Sequence, residues 1–295
     1  MISSVAGVSA LEILAANPTQ FGIMQGRLVP PDGGRFQSFP RAGWREEFPN
    51  AAAAGIDSIE WIVDAYGFDV NPIFSEAGLA ELNALKQEHD IATHTMCADW
   101  FMDYPLLRCS AEERAEREGF LHRLLPVAET IGARSIVLPF VDISRIETDS
   151  EKQTVVELIP AAAPVAQAYG VELHLETDLG PSEFAELLGR IPHPYVKANY
   201  DSGNSSGLGH IATEEFAAYG ERIGSVHIKD RRSKFAGGIA TMPLGEGSAD
   251  LPSVFTCMRE IGYNRPVTLQ AARGKDGDEV NWIRSQLAFI RQYWK

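Results

Sequence analysis

A short phrase recurs four times along this chain: the end of a helix-like stretch, a glycine, a brief link and a strand-like run. It appears as AAGIDSIEW around Gly55, TIGARSIVL around Gly132, AYGVELHLE around Gly170 and EIGYNRPVTL around Gly262. Glycine just past a helix takes up the left-handed conformation that other residues resist, so each phrase marks a helix handing over to a strand. Two strands joined through a helix run parallel, and a parallel sheet needs helices covering its faces. The repeat therefore points to an α/β fold before any single residue is considered.

Eight strand-like runs fit this rhythm: residues 21–26 (FGIMQG), 58–62 (SIEWI), 91–97 (IATHTMC), 135–140 (SIVLPF), 171–176 (VELHLE), 196–201 (VKANYD), 225–230 (SVHIKD) and 266–270 (PVTLQ). Several are continuously apolar, the pattern of strands covered on both sides. Amphipathic helical stretches separate them, among them residues 112–131, 152–169, 183–188, 214–219, 254–261 and 280–293. Eight strand–helix units in about 250 residues match a single (β/α)8 TIM barrel. A doubly wound open sheet would carry a glycine-rich phosphate loop after its first strand, and FGIMQGR is not that fingerprint. The expected organisation is a lead-in over residues 1–20 and one barrel domain over 21–295.

Composition narrows the function. A net charge of −14 argues against nucleic acid or an anionic membrane as partner. The first twenty residues lack a basic start and carry Glu12, so neither a secretory signal nor a membrane span is expected. Cys97, Cys109 and Cys257 are odd in number and widely spaced, which suits a reducing compartment and a cytoplasmic location.

A parallel barrel gathers the carboxyl ends of its strands at one mouth, where such folds place their chemistry. Strand five ends in Glu176, strand six in Asp201, strand seven contains His227 and strand eight ends in Gln270. Two carboxylates, an imidazole and an amide oxygen on four consecutive strands suit a hard or borderline divalent cation. The loop after strand seven adds Lys229, Arg231, Arg232 and Lys234, and that after strand eight Arg273 and Lys275. A basic cluster in so acidic a chain suits an anionic ligand, with Lys229 its foremost member. Asp250, ahead of Leu251 and Pro252, fits a helix N-cap.

With HLETD, NYDSGN, VHIKD and the later PLGEG in place, the chain resembles the xylose-isomerase-like TIM-barrel superfamily of sugar isomerases and epimerases. That superfamily also includes inosose dehydratases and endonuclease IV. The resemblance runs from Phe21 to Gln270. It implies a divalent cation (Mn2+, Mg2+, Co2+ or Zn2+) held by Glu176, Asp201, His227 and the strand-eight residue. It also implies proton transfer on a small carbohydrate or sugar phosphate through a metal-stabilised enediolate, with Glu176 as catalytic base. A homodimer or homotetramer follows by analogy.

Two positions depart from the family pattern. Strand eight carries Gln270 where the family has Glu, and Asn204 stands where many members have His, with His210 further on as a substitute. An amide can offer a carbonyl oxygen to a cation but cannot act as a base. One-base chemistry is therefore expected, such as aldose–ketose isomerisation or dehydration, with Asp178, His94 or Glu246 as replacement acid. His94, Trp100, Asn204, His210, Lys229, Arg231 and Glu246 are the expected substrate-facing residues, and Gln25, Arg27, Glu60 and Trp61 further pocket walls. The alternatives are a lyase of the inosose-dehydratase kind and a sugar-binding protein that has lost its second catalytic carboxylate. Seven scattered histidines and the acidic balance leave an endonuclease without its ligands or its DNA-facing surface.

Overall fold

A computed structural model describes residues 20–236, 240–274 and 277–294. Apart from Gln20, the expected lead-in lies outside these residues, as does Lys275. Eight parallel strands close into one barrel: β1 (Phe21–Met24), β2 (Ser58–Ile62), β3 (Thr95–Cys97), β4 (Ser135–Phe140), β5 (Glu172–Thr177), β6 (Val196–Asp201), β7 (Ile223–Ile228) and β8 (Val267–Leu269). Each pairs with its sequence neighbours, and β1 closes the ring on β8 with Phe21 opposite Val267. A barrel of this kind has no free edge. No helix among the described residues is long and apolar enough to cross a membrane.

Helices separate the strands, among them Glu76–His89, Ala111–Ile131, Asp149–Ala168, Pro181–Gly189 and Leu251–Glu260. Their starts obey local chemistry. Ser110 with Glu113, and Thr148 with Glu151, form reciprocal capping boxes that satisfy otherwise orphaned backbone N–H groups. Asp250 caps Leu251–Glu260 by accepting from the Ser253 N–H, as expected. Gly132 ends Ala111–Ile131 with a φ of 82°, the left-handed turn that the recurring phrase predicted. The apolar faces of these helices, such as Leu121, Leu124 and Leu125, join the strands in one continuous core.

Two details of the strands matter for the site. The third strand is shorter than expected and begins at Thr95, which leaves His94 at its start. The VHIKD run does not stay in the barrel: β7 ends at Ile228, and Asp230–Arg232 pairs with Ala240–Met242 in a separate antiparallel ribbon. Asp230 pins that ribbon to the PLGEG turn, its carboxylate accepting from the N–H groups of Gly245, Gly247 and Ala249, each at 2.9 Å. A Cβ on Gly247 would lie 2.1 Å from the Asp230 carboxylate, which is why glycine stands there.

Candidate active site

The register of the barrel decides which strand ends meet. Asp201 lies opposite His227 on neighbouring β6 and β7, and His227 lies opposite Thr268, two residues before Gln270. The ligand atoms of Glu176, Asp201 and His227 all lie within 4.8 Å of one another, and all three residues are buried. Asp201 Oδ1 accepts from the N–H groups of Gly203 and Asn204 at 2.8 Å, while its Oδ2 has no hydrogen-bond partner among the described residues. The Oε1 of Gln270 is likewise buried and without a partner. His227 Nδ1 lies 3.9 Å from both Glu176 Oε2 and Asp201 Oδ2. Buried polar atoms are nearly always satisfied. The open oxygens of Asp201 and Gln270, flanking Glu176 and His227, could therefore serve as donors to a cation.

Local charge agrees. Glu60, Glu176 and Asp201 bring three negative charges and Lys229 one positive, leaving the charge that one divalent ion balances. Burial, and then the Asp201 carboxylate, hold Glu176 well above the usual carboxylate range. Burial alone would lower the His227 imidazolium, but Glu60, Glu176 and Asp201 outweigh it and raise its pKa. Protons thus serve as the counter-charge where a cation would otherwise do so.

His227 is held from behind by a residue that sequence reasoning assigned only to the pocket wall. Glu60, on β2 across the barrel, brings Oε1 to 2.9 Å from His227 Nε2, close in distance though off hydrogen-bond alignment. Its other oxygen accepts from the Thr95 hydroxyl at 2.5 Å. A carboxylate behind a histidine that can ligate a metal orients the ring and turns the other nitrogen toward the site. The signal was present as a single acid inside the buried strand SIEWI. The contact crosses the barrel, so no local pattern announces it. Glu60→Gln is expected to weaken divalent-cation affinity about 10- to 100-fold while leaving the fold intact, as titration calorimetry would show. An unchanged affinity would count against this role.

The barrel interior continues this polarity downward. Glu172, paired with Arg265, lies 2.9 Å from His174 Nε2, and His174 Nδ1 lies 2.8 Å from the Ser225 hydroxyl. That hydroxyl donates to Asn199 Oδ1 at 2.6 Å, and Asn199 Nδ2 lies 3.2 Å from His227 Nδ1. A layer usually filled by branched apolar side chains is here a buried hydrogen-bonded chain reaching the cluster from the amino-terminal face.

Above the cluster opens a cavity of about 420 Å³ lined by residues from the carboxyl ends of all eight strands. Glu176, Gln270, Asn204, Lys229 and Arg231 face it, as expected from the sequence. Asn204 donates to Glu176 Oε1 at 2.6 Å and accepts from Lys229 Nζ at 3.2 Å. Lys229 also lies 3.6 Å from Asp201 Oδ2. The lysine stem lies over Gly203, where a Cβ would meet its Cγ at 2.6 Å. Ser202 locks the two strand ends together, donating to the Lys229 carbonyl at 2.6 Å and accepting from its N–H at 3.0 Å.

Other expected residues are placed elsewhere. His94 lines a separate cavity at the amino-terminal mouth with Arg134, Glu172 and Arg265, because β3 starts after it. Trp100 stacks on Tyr104 and packs against Phe120 in an aromatic cluster beside the mouth, off the cavity wall. His210 follows the helix Ser202–Leu208 into a third pocket, so it does not replace the histidine that Asn204 lacks. Glu246 is exposed on the PLGEG turn, whose backbone serves Asp230. Asp178 accepts from the Asp142 N–H at 2.9 Å and does not line the cavity. The three expected replacement acids are therefore absent from the wall. The basic cluster divides: Lys229 and Arg231 face the cavity, Arg232 and Lys234 are exposed, and Arg273 binds the carbonyls of Val29 and Phe36.

Sequence reasoning missed the loop after β1, which brings Arg35, Phe36 and Gln37 over the mouth. Buried Arg27 holds this loop, donating to the Phe36 carbonyl at 2.7 Å, to Gln37 Oε1 at 2.9 Å and to the Ala271 carbonyl at 3.0 Å. Of the other expected walls, Gln25 binds the Ile62 N–H from a fully buried position, and Trp61 is core, its indole N–H donating to Asn71.

Comparisons with known proteins agree with this architecture. A family model described as xylose isomerase-like TIM barrel matches residues 48–293. The L-ribulose-5-phosphate 3-epimerase UlaE of Escherichia coli strain K12 is 25% identical over 260 residues, covering 83% of this chain and 90% of the relative. Among solved structures, the IOLI protein with a binding zinc atom superposes with a TM-score of 0.75 at 17% identity, covering 94% of this chain and 99% of the other. D-psicose 3-epimerase with D-tagatose, from Clostridium cellulolyticum H10, gives 0.72 at 16% identity over the same shares.

Proposed function

Because the chain belongs to the xylose isomerase-like TIM barrel family, we propose that it catalyses proton transfer beside the carbonyl of a small carbohydrate, a sugar or sugar phosphate, as an isomerase or epimerase. The observation that carries this reading is the meeting of Glu176, Asp201 and His227 ligand atoms within 4.8 Å of one another, beside the buried, unpartnered oxygens Asp201 Oδ2 and Gln270 Oε1. These four residues would hold a divalent cation, Mn2+, Mg2+, Co2+ or Zn2+. Such an ion, when bound, polarises a substrate carbonyl and makes the adjacent C–H acidic.

Glu176 is the base in this reading. Its Oε1 is fixed by the Asn204 amide, and a carboxylate raised by burial is a stronger proton acceptor than one in water. Gln270 supplies an oxygen but no base. Lys229 offsets the negative charge around Asp201, and Arg35 and Arg231 offer donors to hydroxyl or phosphate oxygens on the wall. The reading takes residues 21–295 as one catalytic domain, acting in the cytoplasm as a homodimer or homotetramer. The sugar-phosphate epimerase among its relatives supports the substrate class.

The test is solvent exchange. L-ribulose 5-phosphate, D-allulose and D-tagatose are incubated with the enzyme and Mn2+ in D2O, and deuterium beside the carbonyl is read by NMR. Incorporation that EDTA abolishes is the expected result. No incorporation from any of the three, with no stabilisation by added cation, would leave only a binding protein. Gln270→Glu tests the fourth ligand separately. The extra carboxylate should tighten Mn2+ binding about tenfold or more and lower the melting temperature of the metal-free protein, since it adds a buried like charge. Unchanged affinity would remove Gln270 from the donor set.

A further inference from the structure

A base on one strand cannot by itself invert a carbon, because the returning proton must reach the opposite face. Glu176 sits on β5, and the strand diametrically opposite in an eight-stranded ring is β1. The proton-carrying side chains that line the cavity between those two strands end or follow β2, β3 and β4, and can be compared one by one. Asp64 has both oxygens engaged by backbone, the Phe39 N–H at 2.8 Å and the Gly67 N–H at 2.7 Å. Tyr66 donates its hydroxyl to Asp32. Asp103 and Asp142 are exposed at the rim. Cys97 is buried and donates its thiol to Asp99 Oδ1 at 3.1 Å.

Asp99 remains. It follows β3 by two residues and lines the same cavity as Glu176 and Gln270. Its Oδ2 accepts from Gln37 Nε2 at 2.7 Å. Gln37 comes from the loop after β1 and is itself held by Arg27, so the carboxyl is tied to the loop that follows the strand opposite Glu176. Arg27, Gln37, Asp99 and Cys97 form one chain of contacts whose cavity-facing acid is Asp99.

We propose that Asp99 is the second proton-transfer residue, delivering a proton to the face of the planar intermediate turned away from Glu176. The assignment rests on the reading of the site given under the proposed function, and it replaces one-base chemistry with epimerisation. Glu176 takes the proton from carbon, and the electron pair of the broken C–H bond passes onto the neighbouring carbonyl oxygen. The Asp99 carboxylic acid then gives its proton to the same carbon from the other side as the pair returns. Glu176 ends protonated and Asp99 ionised, and exchange with solvent resets both. Burial, opposed by the Gln37 and Cys97 contacts, raises the Asp99 pKa, as a proton donor requires.

The experiment uses L-ribulose 5-phosphate and D-allulose, each with its 3-epimer, in D2O with saturating Mn2+. Wild type should interconvert one pair and wash deuterium into both members. Asp99→Asn should lose product formation about a hundredfold or more, yet keep exchange on the member whose proton faces Glu176 and lose it on the other. Glu176→Gln should show the mirror pattern. Asp99→Ser serves as the second variant should the amide lower the melting temperature. Product formation by both Asp99 variants within a few-fold of wild type would overturn the assignment, as would equal loss of exchange on both members. Wild-type silence on both pairs would overturn this inference, whereas the functional reading falls only if D-tagatose is silent too and added cation gives no stabilisation.

Discussion

Glu176→Gln is expected to lower turnover by about 10²- to 10⁴-fold, the range contributed by a positioned general base. The amide keeps the size of the side chain and can still meet Asn204, so the cavity should keep its shape. It also removes a ligand charge, and cation binding will weaken. The measurement must therefore be kcat at saturating Mn2+, where loss of the base survives and loss of affinity does not. A kcat within threefold of wild type under those conditions would exclude Glu176 as the base. The same variant carries a stability signature of opposite sign. A carboxyl whose pKa is raised in the folded state binds an extra proton there, so the metal-free wild type loses stability as pH rises past the normal carboxylate pKa. Metal-free Glu176→Gln should lose less over that range and melt higher than wild type near neutral pH.

Removing the cation should have the other large effect. EDTA-treated enzyme should show no measurable turnover, and Mn2+ should restore it. A cation at about a hundredfold excess over its Kd adds about 3 kcal/mol of stability, a rise of roughly 5–10 °C in melting temperature for a domain of this size. Binding should weaken as pH falls through about 9 and then about 7, because His227 and Glu176, both raised, must give up protons to act as ligands. Asp201→Asn is the matching variant. The Oδ1 that caps the Gly203 and Asn204 N–H groups is retained in the amide, while the free Oδ2 loses its charge. A loss of cation affinity of about a hundredfold, with a normal metal-free melting curve, is the expected result. Full activity after exhaustive chelation would contradict both the donor set and the role given to it.

The limits of sequence reasoning show at particular residues. The strand containing His94 looked long because residues 91–97 are uniformly strand-forming, but pairing with β4 begins only at Thr95. A strand that starts four residues later than expected leaves the histidine at the amino-terminal mouth of the barrel. Glu246 was drawn into the site by the glycines beside it, yet those glycines exist to let backbone N–H groups converge on Asp230. Asp99 stands two residues past the third strand, just ahead of the aromatic pair Trp100 and Phe101. Nothing local marks it, since its orientation depends on Gln37 from a loop 62 residues earlier.

Local chemistry was enough to specify the alternation of helix and strand, the glycine handovers between them, the eight strand–helix units and the three strand-end residues, Glu176, Asp201 and His227, that meet at one mouth. Those features follow from periodicity and from the rule that parallel strands deliver their carboxyl ends to one mouth, and both are written residue by residue. Which acid stands behind His227, which candidates face the cavity and which turn away were decided only by the closed barrel. Contacts such as Glu60 with His227 join strands distant in sequence that are not neighbours in the ring. Their existence depends on register and closure, which are properties of the whole ring and of no single segment.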